Sequence, residues 1–208
     1  RTTSSAASDV YKRQLQGIST RYNQNEDALL KMFKKDQFYP ALSWYGILKA
    51  QNCFLNGSFD EGLSYLKNYI HNERNEVIMF PKIRLHFIRS LLLLATNSSI
   101  TEPQHELLVS DLNEFRTYAK ESPRNFKFEK LLLEAEEMKR VKSQWDTAKK
   151  YDAAIKEAYR QNNHFFMALG GLCSSHFWEY LNHHEMSNFY CSQAIVSLNQ
   201  WGAYEAAE

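Results

Sequence analysis

A small residue followed three positions later by tyrosine recurs at Gly62–Tyr65, Ala148–Tyr151 and Ser187–Tyr190. Each pair lies in a run whose apolar residues return at three- and four-residue steps, the spacing of an amphipathic helix. The copies are separated by roughly one or two periods of about 40 residues, the scale of helix-pair repeat arrays. A small residue in that slot lets the second helix of a pair close on the first, and the tyrosine one turn later covers the joint. Trp145 opens a second helix, and Trp201 precedes Gly202 where the last helix should end. Both are expected to be packing wedges, and Trp44 and Trp178 are expected to be structural as well, because aromatic residues at helical spacing bury against a core more often than they anchor ligands.

The rest of the chain fits the same plan. Residues 24–35 form an amphipathic stretch, and Pro40 breaks it before a strong helix over 41–56. Asn56-Gly57-Ser58 reads as a turn, with Gly57 as helix stop and Ser58 as N-cap. Residues 59–70 complete the first hairpin. Further helices are predicted over 81–95, 104–120, 126–141, 145–159, 165–181 and 186–201. A longer loop falls at 96–103, and Ser122-Pro123-Arg124-Asn125 and Asn162-Asn163 punctuate the pattern. Nothing alternates with period two, so no sheet is expected. The expected fold is all-α, a right-handed, tetratricopeptide-like helical-repeat solenoid of about eight helices in antiparallel pairs. Residues 1–14 carry no sustained apolar period and resemble non-native read-through, expected to be disordered. Residues 15–39 form an N-terminal helical segment and 40–208 the repeat domain, read as a fragment.

Lys and Arg number 25 against 24 Asp and Glu. This balance gives no electrostatic case for nucleic acid or an anionic membrane. Three widely spaced cysteines, Cys53, Cys173 and Cys191, argue against a disulfide framework and for a reducing cytoplasm. The only partners expected are proteins or flanking domains of the same chain.

Several ordered motifs go beyond helix periodicity. They are Tyr45-Gly46-Ile47-Leu48-Lys49, Asn56-Gly57-Ser58-Phe59, Ser122-Pro123-Arg124-Asn125-Phe126, Tyr151-Asp152-Ala153-Ala154-Ile155, Phe189-Tyr190-Cys191-Ser192-Gln193-Ala194 and Trp201-Gly202-Ala203. Over residues 40–208 this order resembles the tetratricopeptide-like helical region of very large multidomain signalling proteins. Those proteins join a serine/threonine kinase-like domain, an AAA-type ATPase, a GAF sensor domain and often a histidine kinase. The resemblance implies a non-catalytic scaffold between such domains, and a parent with serine/threonine or sensor histidine kinase activity. The alternative is a freestanding peptide-binding adaptor. Gly170-Gly171 departs from the family's Ala-rich helix and predicts a kink or very close packing there. Ser187 stands where the family more often has Ala.

No catalytic, cofactor-binding or metal-binding residue is assigned. The chain lacks a Gly-rich loop followed by Lys-Ser/Thr and lacks the His-Arg-Asp and Asp-Phe-Gly elements of kinases. Cys173 and His176, one turn apart, with His183, His184 and Cys191, could make a zinc site. Adjacent histidines diverge, however, and zinc requires tetrahedral convergence. Glu134, Glu136, Glu137, Lys139 and Arg140 read as the wet face of an amphipathic helix. Lys31, Lys34 and Lys35 form a slight basic patch, flanked by Glu26, Asp27 and Asp36.

Overall fold

The computed structural model describes residues 23–70, 79–96, 99–139 and 143–203. Within them the chain forms nine α-helices and no strand: α1 (Asn23–Lys35), α2 (Tyr39–Leu55), α3 (Phe59–Tyr69), α4 (Met79–Ala95), α5 (Glu102–Glu121), α6 (Pro123–Met138), α7 (Gln144–Arg160), α8 (His164–Tyr180) and α9 (His184–Trp201). Residues 1–22, Arg140 and Val141 lie outside the described set. The molecule divides into two compact units, residues 1–88 with 202–208 and residues 89–201.

In the first unit α1 packs on α2, and α2 pairs with α3. Pro40 does not end a helix here. It sits in the first turn of α2, where its missing N–H has no helical partner to lose. The preceding break comes instead from Gln37, which adopts a left-handed φ of 52°. Four turns share one backbone form: the left-handed residue is Gln37, Gly57, Asn162 or Asn182. In each, the next N–H bonds back five residues, as from Phe38 to Phe33 (2.8 Å), Ser58 to Cys53 (2.8 Å), Asn163 to Ala158 (3.1 Å) and His183 to Trp178 (2.9 Å). This is the Schellman ending, which satisfies the last carbonyls of a helix in very few residues. Ser58 occupies the N-cap position of α3, but its side chain makes no capping bond.

In the second unit α6 packs against α5, α7 and α8, and the α8–α9 pair is the most extensive. The Arg89 guanidinium grips Asp111 with two bonds, Nε to Oδ2 at 2.8 Å and Nη2 to Oδ1 at 2.9 Å, both residues buried. The bidentate form fixes orientation as well as distance. The loop before α5 is shorter than its sequence predicts, because Thr101 and Gln104 form a capping box that starts the helix at Glu102. Ser122 alone separates α5 from α6, and Pro123 is the first residue of α6. The polar run 123–125 is thus helical, since proline suits a first turn.

Two glycines set how closely the hairpins close. A Cβ on Gly46 would meet Tyr69 Cβ at 2.7 Å and the Tyr65 carbonyl oxygen at 3.3 Å. On Gly171 it would meet Ala194 Cβ and the Tyr190 carbonyl oxygen, each at 3.1 Å. Gly170 faces the other way, toward Ile155 Cγ1 at 3.0 Å. Helix α8 runs unbroken through both glycines, and they let α7 and α9 press on opposite sides of it.

Alanine normally gains about 1 kcal/mol over glycine inside a helix. At Gly46 and Gly171 overpacking against immovable backbone outweighs that gain, at about 1–3 kcal/mol. Gly46→Ala and Gly171→Ala are each expected to lower the urea midpoint. A raised midpoint in either variant would show that the helices can separate without penalty.

Candidate interaction surface and buried polar joint

The three small-x-x-Tyr pairs lie on α3, α7 and α9, the second helices of their hairpins, but in different environments. Gly62 is buried and Tyr65 half-buried. The Tyr65 ring stacks on Tyr69 at 6.3 Å and stands edge-on to Tyr45 at 6.4 Å. Ser187 is buried and accepts at its carbonyl oxygen a 3.0 Å bond from the Ser175 hydroxyl. Tyr190 is half-buried and donates to Asp152 Oδ1 at 2.6 Å, tying α9 to α7. Burial and that carboxylate push its phenol up to about 12. The third pair is turned by one residue. Thr147, rather than Ala148, is fully buried, and Tyr151 is wholly inside the core.

Tyr151 is the centre of a polar joint among α6, α7 and α8. Its hydroxyl donates to Glu136 Oε1 at 2.7 Å, and its ring leans on Phe177 at 5.3 Å. Lys139 also bonds to Glu136. With Glu136 only 1% exposed, the wet-face reading of this helix is corrected at that position. The carboxylate is drawn inward because α6 is covered by α7 and α8 as well as by α5. Burial, then the adjacent carboxylate, hold the Tyr151 phenol well above its usual range, so it serves as a donor. The Cys173 thiol is raised in the same way, first by burial and then by Glu136. A thiol kept protonated is a poor nucleophile and a poor ligand.

The remaining candidates scatter. His184 pairs with Glu179 at 3.1 Å, and the His183 ring stands edge-on to Trp178 at 5.4 Å. Among the described residues no group of three or more His, Cys, Asp and Glu side chains is placed to hold a metal ion. Lys34 lies 5.3 Å above the Tyr69 ring, a cation–π contact between α1 and α3.

The tryptophans divide. Trp201 packs on Phe165 at 4.9 Å and Trp178 is buried, while Trp44 is half-buried. Trp145 corrects the wedge expectation: it is 72% exposed. It lies in the first turn of α7, one residue after the helix begins and two before Thr147, where burial starts. Tyr159 on the same helix and Met186, Phe189 and Val196 on α9 are also exposed. Tyr159 reaches Gln193 of α9 at 3.4 Å. No sequence signal separates these outward aromatics from buried ones, because both occur at helical spacing.

No family model, curated protein or solved structure matches the chain. Among the described residues no helix is long and apolar enough to cross a membrane.

Two outcomes test these polar contacts, the first at the joint and the second at the Glu157 carboxylate of α7. Tyr151→Phe keeps the ring but strips a donor from a buried carboxylate, which costs about 1–3 kcal/mol and is expected to lower the denaturation midpoint accordingly. A midpoint equal to that of the native chain would mean Glu136 finds another donor. Glu157 tests the second. Its carboxyl is held down at about 2 by bonds from Arg160, against burial, with Gln161 and Lys127 assisting. A depressed folded value stabilises the fold above the unfolded value of 4.5 and loses that support as pH falls toward about 2. Glu157→Gln is therefore expected to flatten the stability profile in that window, measured by thermal melts at stepped pH.

Proposed function

We propose that this chain is a non-catalytic helical-repeat scaffold and interaction region of a multidomain signal-transduction protein. In this reading it links or regulates flanking ATPase and sensor or kinase domains in the cytoplasm. The observation that carries the reading is the pairing of helices through one recurrent short turn, with close glycine contacts in both α2–α3 and α8–α9. Such units contact chiefly their neighbours, and a right-handed tetratricopeptide-like solenoid is the architecture we assign to them. The ordered motifs between Tyr45 and Ala203 supply the likeness to the signalling family. Buried ionisable groups support a structural role: Glu136, Asp111 and Glu157 are engaged by Tyr151, Arg89 and Arg160.

A freestanding peptide-binding adaptor is the second reading, favoured by exposed Trp145, Tyr159 and Phe189. Aromatic side chains of this kind dominate binding energy where they enter a partner. Neither reading includes a cofactor, a metal, nucleic acid or a membrane.

The contiguous genomic reading frame decides between the two. A nucleotide-binding loop upstream and a sensor or histidine-kinase domain downstream are expected for the scaffold. A short frame bearing neither would transfer the assignment to the adaptor.

A further inference from the structure

The left-handed turn residues Gln37 and Gly57 recur as Asn162 and Asn182, each 125 positions on (162 − 37 and 182 − 57). Helix α3 starts at Phe59 and α9 at His184, the same distance apart. Gly46 closes on Tyr65 and Tyr69, and Gly171 on their counterparts Tyr190 and Ala194. Helix α9 thus repeats α3 in turn geometry and in its seam with the preceding helix.

The outward sides of the two helices differ. Met186, Phe189, Gln193 and Val196 follow one another at steps of three, four and three, and so share one side of α9. Met186 is 40% exposed, Phe189 56% and Val196 50%, and Gln193 is exposed with them. That side lies away from the buried Ser187, Ala194 and Leu198. The counterparts of the first three on α3 are Glu61, Ser64 and Asn68, also exposed. Both copies leave these positions open, so the hairpin does not cover them itself; what changes is their chemistry. Exposed Asp60, Glu61 and Lys67 mark α3, whereas residues 186–201 contain no Asp, Glu, Lys or Arg. An uncharged helix is ordinary inside a core, but here the uncharged side faces outward. Exposed Met and Phe on a surface depleted of charge mark an interface.

We propose that a second copy of this chain occupies this face, laying its own α9 antiparallel on the first about a two-fold axis level with Cys191. The steps of three, four and three read the same from either end. Met186 of each copy therefore meets Val196 of the other, and Phe189 meets Gln193. In a two-fold contact one patch meets itself, so any excess of one charge would repel its own copy. Charges steer and select unlike partners, and this stripe has none to offer. Its polar border is instead made of the exposed amides Asn188, Asn199 and Gln200. An amide is donor and acceptor at once and complements its own copy. Met186 adapts to the shape of the side chain it meets. Such pairing suits a scaffold and an adaptor alike.

The test is sedimentation equilibrium of the full chain over a range of concentrations. A reversible dimer is expected, and raising salt from about 0.1 M to about 1 M is expected not to weaken it, because no exposed ion pair holds it. Phe189→Lys is expected to weaken it at least about tenfold, with the circular dichroism of the native chain; Val196→Lys repeats the readout if helix is lost. Met186→Lys and Val196→Glu are each expected to be monomeric alone and to dimerise when mixed, since the antiparallel arrangement sets Lys against Glu. A native chain that stays monomeric up to about 1 mM overturns the proposal. A dimer undiminished by Phe189→Lys places the contact elsewhere and overturns it too, as does a mixture of the two charged variants that fails to associate.

Discussion

Two helices approach only as closely as the atoms between them permit, and at Gly46 and Gly171 the intervening side chain is a hydrogen. That allowance places the backbone of α2 against α3 and of α8 against α9, with tyrosine carbonyls at contact distance. Close approach multiplies weak dispersion contacts and excludes water from the seam. It also keeps the turns short, because helices held this near need only a Schellman ending to reverse direction. Longer side chains then work at the margins: Tyr65 and Tyr69 stack in the first unit, and Phe165 and Trp201 meet in the second.

The polar groups act as register pins between these apolar seams. Tyr151 with Glu136, Tyr190 with Asp152, and Arg89 with Asp111 each join different helices. A buried pair of this sort adds little net stability over an apolar substitute, yet losing one partner is expensive. Helices free to slide along a smooth apolar stripe are thereby held to one axial position. The joint around Glu136 also holds the Cys173 thiol toward its neutral form, while His176 lies on the exposed side of α8.

Most helix spans were legible in the sequence because apolar residues at three- and four-residue steps need only one covered face. Gly57 and Asn162-Asn163 announced their turns through residues that tolerate a left-handed backbone. Gln37 did not, since glutamine carries no such signature, and Pro40 drew attention three residues too late. Glu136 was misread for a related reason. A one-face pattern describes α3 well but fails for α6, which has helices on several sides and must bury a carboxylate beside a tyrosine. Trp145 failed in the opposite sense: it belongs to a first turn that extends past the cover of its neighbours. Proline at the head of α6 shows how a breaker in composition can be an initiator in structure.

The left-handed turn residues Gln37 and Gly57 recur 125 positions later as Asn162 and Asn182, and a chain that uses one hairpin register twice also faces a folding problem. While the helices are still assembling, α2 meets two candidates of matching turn geometry, its own α3 and the distant α9, and α8 meets the same two. Short connections favour the proper partner through proximity, and the seams differ in chemistry. Gly46 closes on Tyr69 where Gly171 closes on Ala194, and Ser175 bonds to Ser187 where the first hairpin stacks tyrosines. The divergence of the two seams is therefore a form of address, telling each helix which of two similar neighbours it belongs to.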